Sequence, residues 1–127
     1  MIDFSNNAVF KLTPVNPNTE YMIPTINQFL VDGETVLAVF KTVRDQVVFT
    51  NKRVIAANVQ GFTGKKVDYT SIPYSKVQTF SVETAGTLDL DCEIDFFISA
   101  VGRVRFEIRG GFDIVSFNRI ISEYVLK

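Results

Sequence analysis

Apolar and polar side chains alternate with a period of two from about residue 34 to residue 109, and the rhythm becomes helical on either side of that stretch. The signal is clearest over residues 46–70. Two β-branched apolar runs, Val47–Phe49 and Val54–Val59, flank the turn cluster Thr50-Asn51-Lys52-Arg53, and a second turn, Gln60-Gly61-Phe62-Thr63-Gly64, sends the chain back into Lys65–Thr70. This pattern predicts an antiparallel meander of three strands.

The flanking segments extend the prediction. Residues 1–18, with Pro14 and Pro17, read as an irregular arm. Thr19–Leu30 places Met22, Ile26, Phe29 and Leu30 on one helical face, with Pro24 best suited to the first turn and Asp32-Gly33 ending the helix. Glu34–Thr42 is the first strand, with Val36, Ala38 and Phe40 on one face and Leu37 and Val39 on the other. Both faces are apolar, so one needs cover from the helix or from another chain. Pro73 cannot donate to a ladder, so Ser71–Ser75 breaks the pattern and a new strand runs over Lys76–Val82. Thr87–Ser99 is the longest strand candidate, with Leu88, Leu90, Cys92, Ile94, Phe96 and Ile98 facing inward. Arg103–Arg109 returns with Val104, Phe106 and Ile108 inward. After Gly110-Gly111, Asp113 is placed to cap a helix whose apolar face is Ile114, Phe117, Ile120, Ile121, Tyr124 and Val125. Such a helix needs an apolar surface, and the open mouth of a barrel offers one. The expected architecture is mainly β: seven antiparallel strands with a C-terminal helix as plug. It forms one domain, with an arm and short helix over 1–32, a barrel over 33–110 and a capping helix over 111–127.

Composition narrows the function more than the fold. A length of 127 residues suits one domain, and twelve Phe without any Trp predict a phenylalanine-rich core. A net charge of −1 argues against nucleic-acid binding and weakens electrostatic docking to an anionic membrane. The chain has no histidine, which removes Ser-His-Asp and Cys-His catalysis and every His-ligated metal site. The single Cys92, the lack of a leader-like start and the lack of an apolar run near the ~20 residues of a membrane span predict a cytoplasmic protein. We expect no enzyme activity and no catalytic, cofactor or metal site.

Three motifs suggest chemistry. The acidic stripe Asp89, Asp91, Glu93, Asp95 resembles the start of a calcium loop, but Ile94 stands where the loop needs Gly and Ala100 where it needs Glu. It reads better as a solvated strand face opposite Arg103, Arg105 and Arg109. Gly61-Phe-Thr-Gly-Lys-Lys66 resembles part of a phosphate-binding loop but lies between two strands, with Val59 and Lys66 at positions that need Gly and Ser or Thr. Lys52, Arg53, Lys65 and Lys66 form the densest basic group, a candidate anion or interaction surface. Cys92 reads as a buried inert thiol.

Val48-Phe-Thr-Asn-Lys-Arg-Val-Ile55, Gln60-Gly-Phe-Thr-Gly-Lys-Lys-Val-Asp-Tyr69, Ser71-Ile-Pro-Tyr-Ser75 and Phe80-Ser-Val-Glu-Thr-Ala-Gly-Thr-Leu-Asp-Leu-Asp91 together resemble the bacterial pleckstrin-homology (PH) domain family. The resemblance runs from about Gly33 to the C-terminus. It implies the PH-like fold, with seven antiparallel strands in two near-orthogonal sheets capped by the C-terminal helix. It also implies a non-enzymatic domain that forms ring-shaped homo-oligomers, with a pentamer as one form of the ring. Eukaryotic PH domains bind phosphoinositides through a basic first-hairpin loop. Here that loop offers only Lys41 and Arg44, so lipid binding does not carry over. The first expectation is therefore an interaction or scaffold module. It would self-assemble through strand edges and the outer face of its first strand, Leu37 and Val39, and hold a protein or peptide partner. The alternative is a membrane-surface or anionic-ligand module using the basic hairpin rims. A small-ligand barrel is a weaker third, since twelve Phe would fill the interior.

Overall fold

Val47–Phe49 and Val54–Ala57 are apolar on both faces because the sheet they form is covered on both sides. The computed structural model describes residues 1–4, 11–15, 24–84 and 91–127. Within these, eight strands follow one another: β1 (Lys11–Val15), β2 (Val36–Lys41), β3 (Gln46–Thr50), β4 (Arg53–Gln60), β5 (Lys66–Pro73), β6 (Thr79–Thr84), β7 (Cys92–Ile98) and β8 (Gly102–Ile108). Helix α1 (Pro24–Phe29) lies between β1 and β2, a 3₁₀ turn (Tyr74–Lys76) follows β5, and helix α2 (Ile114–Val125) follows β8.

The strands form one mixed sheet in the order β5-β4-β3-β2-β1-β8-β7-β6. This corrects the expectation of seven antiparallel strands in two near-orthogonal sheets. The additional strand is β1, within the stretch read as an arm. It pairs antiparallel with β2 through Thr13, Pro14 and Val15, and parallel with β8 through Lys11 and Leu12. It thereby joins the β2–β5 and β6–β8 halves. Pro14 is tolerated because it lies beyond the short ladder to β8 and has only β2 as a partner. Pro73 likewise ends β5 instead of preceding a break: it pairs with Arg53 at the close of a terminal strand. Part of the predicted 19–30 helix falls outside the described residues, and α1 occupies Pro24–Phe29 with Pro24 as its first residue. Of the predicted 87–99 strand, Leu88, Leu90 and Asp89 also lie outside the described residues.

The β-strand alternation sorts side chains into two cores. Phe40, Val47, Phe49, Val54 and Ala56 join Leu12, Phe96, Val104, Phe106 and Ile108 in the main core. Val39, Val48, Ile55 and Ala57 face the other way and pack with Val15 and Ile26 of α1. The second apolar face of β2 is therefore covered by the chain's own helix.

Helix α2 packs on the main core. The Asp113 side chain accepts the Ser116 N–H at 3.1 Å, the predicted N-cap. Its anionic form is stabilised by that bond, which holds the carboxyl below its ordinary value. Ile114, Phe117 and Ile121 are buried, whereas Ile120, expected on the inner face, is exposed. The Phe117 ring lies edge-on to Phe49 at 5.1 Å and Phe112 at 5.3 Å, which anchors the helix over the phenylalanine cluster.

Candidate interaction surfaces

The basic group Lys52, Arg53, Lys65, Lys66 is split by the geometry of β4. Lys52 and Arg53 sit at the β3–β4 turn, and Lys65 and Lys66 sit at the β4–β5 turn. Seven residue steps of β4 separate the two ends, about 23 Å at the rise of an extended strand. The four side chains do not form one site.

Arg53 is moreover committed to structure. Its guanidinium grips Glu34 with two bonds, Nε to Oε2 at 2.9 Å and Nη2 to Oε1 at 3.0 Å. It also donates to the Phe29 carbonyl at 2.8 Å and to Ser71 Oγ at 3.1 Å. The Glu34 carboxylate further accepts from Thr50 Oγ1 at 2.7 Å and from the Val31 N–H at 3.0 Å. Burial works to raise the Glu34 pKa, but the bonds from Arg53, Thr50 and Val31 outweigh it and hold the carboxyl below its ordinary value. The cluster ties the end of α1 and the following link to β3, β4 and β5. Beside it, the Tyr74 hydroxyl donates to the Thr50 carbonyl at 2.7 Å, and burial, with the Glu34 charge behind it, pushes that phenol strongly upward.

At the other end of β4, two loops meet. The β2–β3 loop and the β4–β5 loop are linked by Arg44, whose guanidinium donates to the Gly61 carbonyl, and by Asp45. The Asp45 carboxylate turns inward, accepting the Val59 N–H at 2.8 Å and the Asn58 amide at 3.2 Å. Gly61 (φ 72°) and Gly64 (φ 66°) take the left-handed conformation the β4–β5 turn requires, so this stretch is a hairpin and not a phosphate loop. Lys41, Arg44, Lys65 and Lys66 are exposed around the two tips, and the tips carry Val43 and Phe62, which are fully exposed. Composition could not reveal this cluster, because its cations come from two loops brought together by strand pairing. The signal in the sequence is the apolar residue within each turn, Val43 and Phe62.

The outer face of β2 does not offer the expected assembly surface. Val39 is 4% exposed beneath α1, and Leu37 is partly buried against the main core. Among the described residues the sheet instead ends in two terminal strands, β5 and β6, each with a strand partner on one side. Next to β6, Phe97 of β7 is half-exposed and lies opposite Thr79 and Arg103.

The remaining candidates have structural roles. Asp95 pairs with Arg105 through two bonds of 2.9 and 3.0 Å, Glu93 approaches Arg105 at 3.3 Å, and Arg103 approaches Asp95 at 3.8 Å. These are cross-strand pairs on a partly solvated face, which favour the β7–β8 register more than they add stability. Among the described residues no cluster of carboxylates or thiols is arranged to hold a metal. Cys92 is buried, and burial, with Asp91 and Glu93 beside it, raises its pKa away from a reactive thiolate. No helix among the described residues is long and apolar enough to cross a membrane.

The sequence profile of the family described as "Bacterial PH domain" matches residues 3–125. YjqA of Bacillus subtilis, called an uncharacterized protein, is 56% identical over 70 residues, 55% of this chain and 56% of YjqA. YozO of the same organism, also called uncharacterized, is 36% identical over 66 residues, 52% of this chain and 57% of YozO. The match thus spans a little over half the length of these curated relatives. Among solved structures, a DUF1696 family protein with a pleckstrin-homology domain from Shewanella loihica superposes with a TM-score of 0.74 at 35% identity, covering 92% of this chain and 99% of that one. A pleckstrin homology domain from Shewanella amazonensis gives 0.60 at 42% identity, covering 82% and 85%.

Proposed function

This chain belongs to the bacterial PH domain family, and from that premise we propose that it is a non-enzymatic interaction module that self-assembles and holds a protein or peptide partner. The observation that carries the reading is the outer edge of β6, which has no strand partner among the described residues, with the half-exposed Phe97 beside it. An unpaired strand edge is a template for a further strand, and an adjacent aromatic supplies the apolar area that edge pairing alone lacks. A closed ring satisfies every such edge with a head-to-tail contact, and a ring of five is the form the family resemblance suggests. The test is the mass in solution by light scattering at dilute concentration. The expected value is several times the 14.3 kDa of one chain, moving toward one chain in Phe97→Asp. A 14.3 kDa particle for the unaltered protein overturns self-assembly.

The paired loop tips favour a second reading, docking to an anionic bilayer. Val43 and Phe62 would enter the interface while Lys41, Arg44, Lys65 and Lys66 meet the headgroups. The expected result is co-sedimentation with phosphatidylserine vesicles at low salt that weakens at physiological salt. Phe62→Ser should reduce affinity roughly tenfold or more, the effect of withdrawing a buried aromatic. Absence of co-sedimentation at low salt overturns this reading.

A further inference from the structure

Helix α1 has six residues, and Ile26 is its one buried side chain. That is far below the length at which a helix is stable alone in water, so α1 persists only while it is docked. It lies over the second core, where Ile26 meets Val39, Val48, Ile55 and Ala57 of the sheet. Its last residue, Phe29, is 43% exposed and sets its ring edge-on to Tyr69 at 5.0 Å. Among the described residues, the polar ties from this segment to the rest of the chain converge on one pair. Arg53 Nη2 donates to the Phe29 carbonyl at 2.8 Å, and the Val31 N–H donates to Glu34 Oε1 at 3.0 Å. The chain beyond is fastened separately: the Asn51 side chain donates to the Gly33 carbonyl at 2.9 Å and accepts the Thr35 N–H at 2.8 Å. Between the two fastenings stands Gly33, at φ 78°, a residue whose backbone has the widest freedom to turn.

We infer that α1 is a releasable strap, which swings off the sheet about Gly33 while the strands and α2 stay folded, with the Glu34–Arg53 pair as its latch. No strand ladder passes through α1, so its release breaks no pairing. The main core is built by the strands, the first residues and α2, and it keeps all of its members when α1 leaves. A unit with one buried side chain and one polar anchor opens at a lower free energy than the core beneath it. Release bares Val39, Val48, Ile55 and Ala57, so the strap switches this face of the sheet between covered and apolar.

The experiment is thiol labelling of the full chain under native conditions, in a Cys92→Ala background. Ala56 and Ala57 are neighbours on β4 with no exposed surface, Ala56 in the main core and Ala57 in the core under the strap. Ala57→Cys should react at least a hundredfold faster than Ala56→Cys. Its rate should depend little on urea below the unfolding transition, because release of α1 exposes little area. Val48→Cys and Val47→Cys on β3 repeat the comparison, second core against main core, should either alanine variant fail to fold. Ile108→Val, in the main core, should speed Ala56→Cys about fivefold and leave Ala57→Cys unchanged. Arg53→Gln should speed Ala57→Cys at least tenfold. Equal rates on the two faces of the strand overturn the inference, as does Ile108→Val acting equally on both. An unaltered Ala57→Cys rate in Arg53→Gln overturns the latch.

Discussion

Phe49→Ala is expected to destabilise the domain by about 3–5 kcal/mol, the range for emptying a large aromatic site in a core that cannot collapse around it. Phe49 has no exposed surface and contacts four rings edge-on: Phe117 at 5.1 Å, Phe40 and Phe106 at 5.7 Å each, and Phe96 at 6.3 Å. These rings belong to α2, β2, β7 and β8, so one side chain connects the helix to strands from both halves of the sheet. Urea unfolding with an unchanged m-value would measure the loss. Phe49→Leu refills most of the volume and should recover more than half of it. A double-mutant cycle with Phe117→Ala should return a coupling of about 0.5–1.5 kcal/mol, the share due to the ring pair. A loss below about 1 kcal/mol for Phe49→Ala would place the centre of the core elsewhere.

Glu34→Ala is expected to cost about 3 kcal/mol, because it leaves the Arg53 guanidinium partly buried without its counter-charge. The Glu34 side chain has 0% exposure and that of Arg53 22%, so water can reach the orphaned cation and the loss stays at the lower end for a broken buried pair. The reverse change, Arg53→Ala, strands an enclosed carboxylate and should cost at least as much. The pH dependence follows from the depressed folded pKa of Glu34. Its contribution is complete above the ordinary glutamate value, roughly pH 5 and higher, and is lost as the pH falls through the folded value. The stability gap between the unaltered protein and Glu34→Gln should therefore be largest near neutrality and shrink in acid. A gap that stays constant from pH 7 to pH 3 would mean that the charge on Glu34 does not contribute.

This cluster also shows where reading residues in order stops. In sequence order Arg53 groups with Lys52, Lys65 and Lys66, four cations within fourteen positions of one another. The strand between them divides the group, and a glutamate nineteen positions upstream claims Arg53. In the opposite sense, Arg44 and Lys65 are far apart in order yet share one end of the sheet, because the β4 register puts Asp45 against Val59. Charge density along a chain measures neighbours in sequence, whereas an anion site needs neighbours in space.

Local pattern determined a great deal. The two-residue rhythm located β2, β3, β4, β7 and β8 and gave the inward faces of β7 and β8, since alternation is a property of extended backbone whatever it packs against. In β2 the register shift between Val36 and Ala38 breaks the expected faces, sending Leu37 to the main core and Val36 to the opposite side. The helical rhythm from Ile114, with Asp113 ahead of it, specified α2 and its cap, because both lie within a few turns of one another. Tertiary structure alone decided the rest. Lys11–Val15, short and interrupted by Pro14, becomes a strand only because β2 and β8 present ladders to it, and that pairing turns two expected sheets into one. Val39 is covered by Ile26 and is thus unavailable for assembly while α1 is docked, and Phe62 is left in solvent. Each of these outcomes depends on segments remote in sequence, to which the hydrophobic pattern of any one stretch is blind.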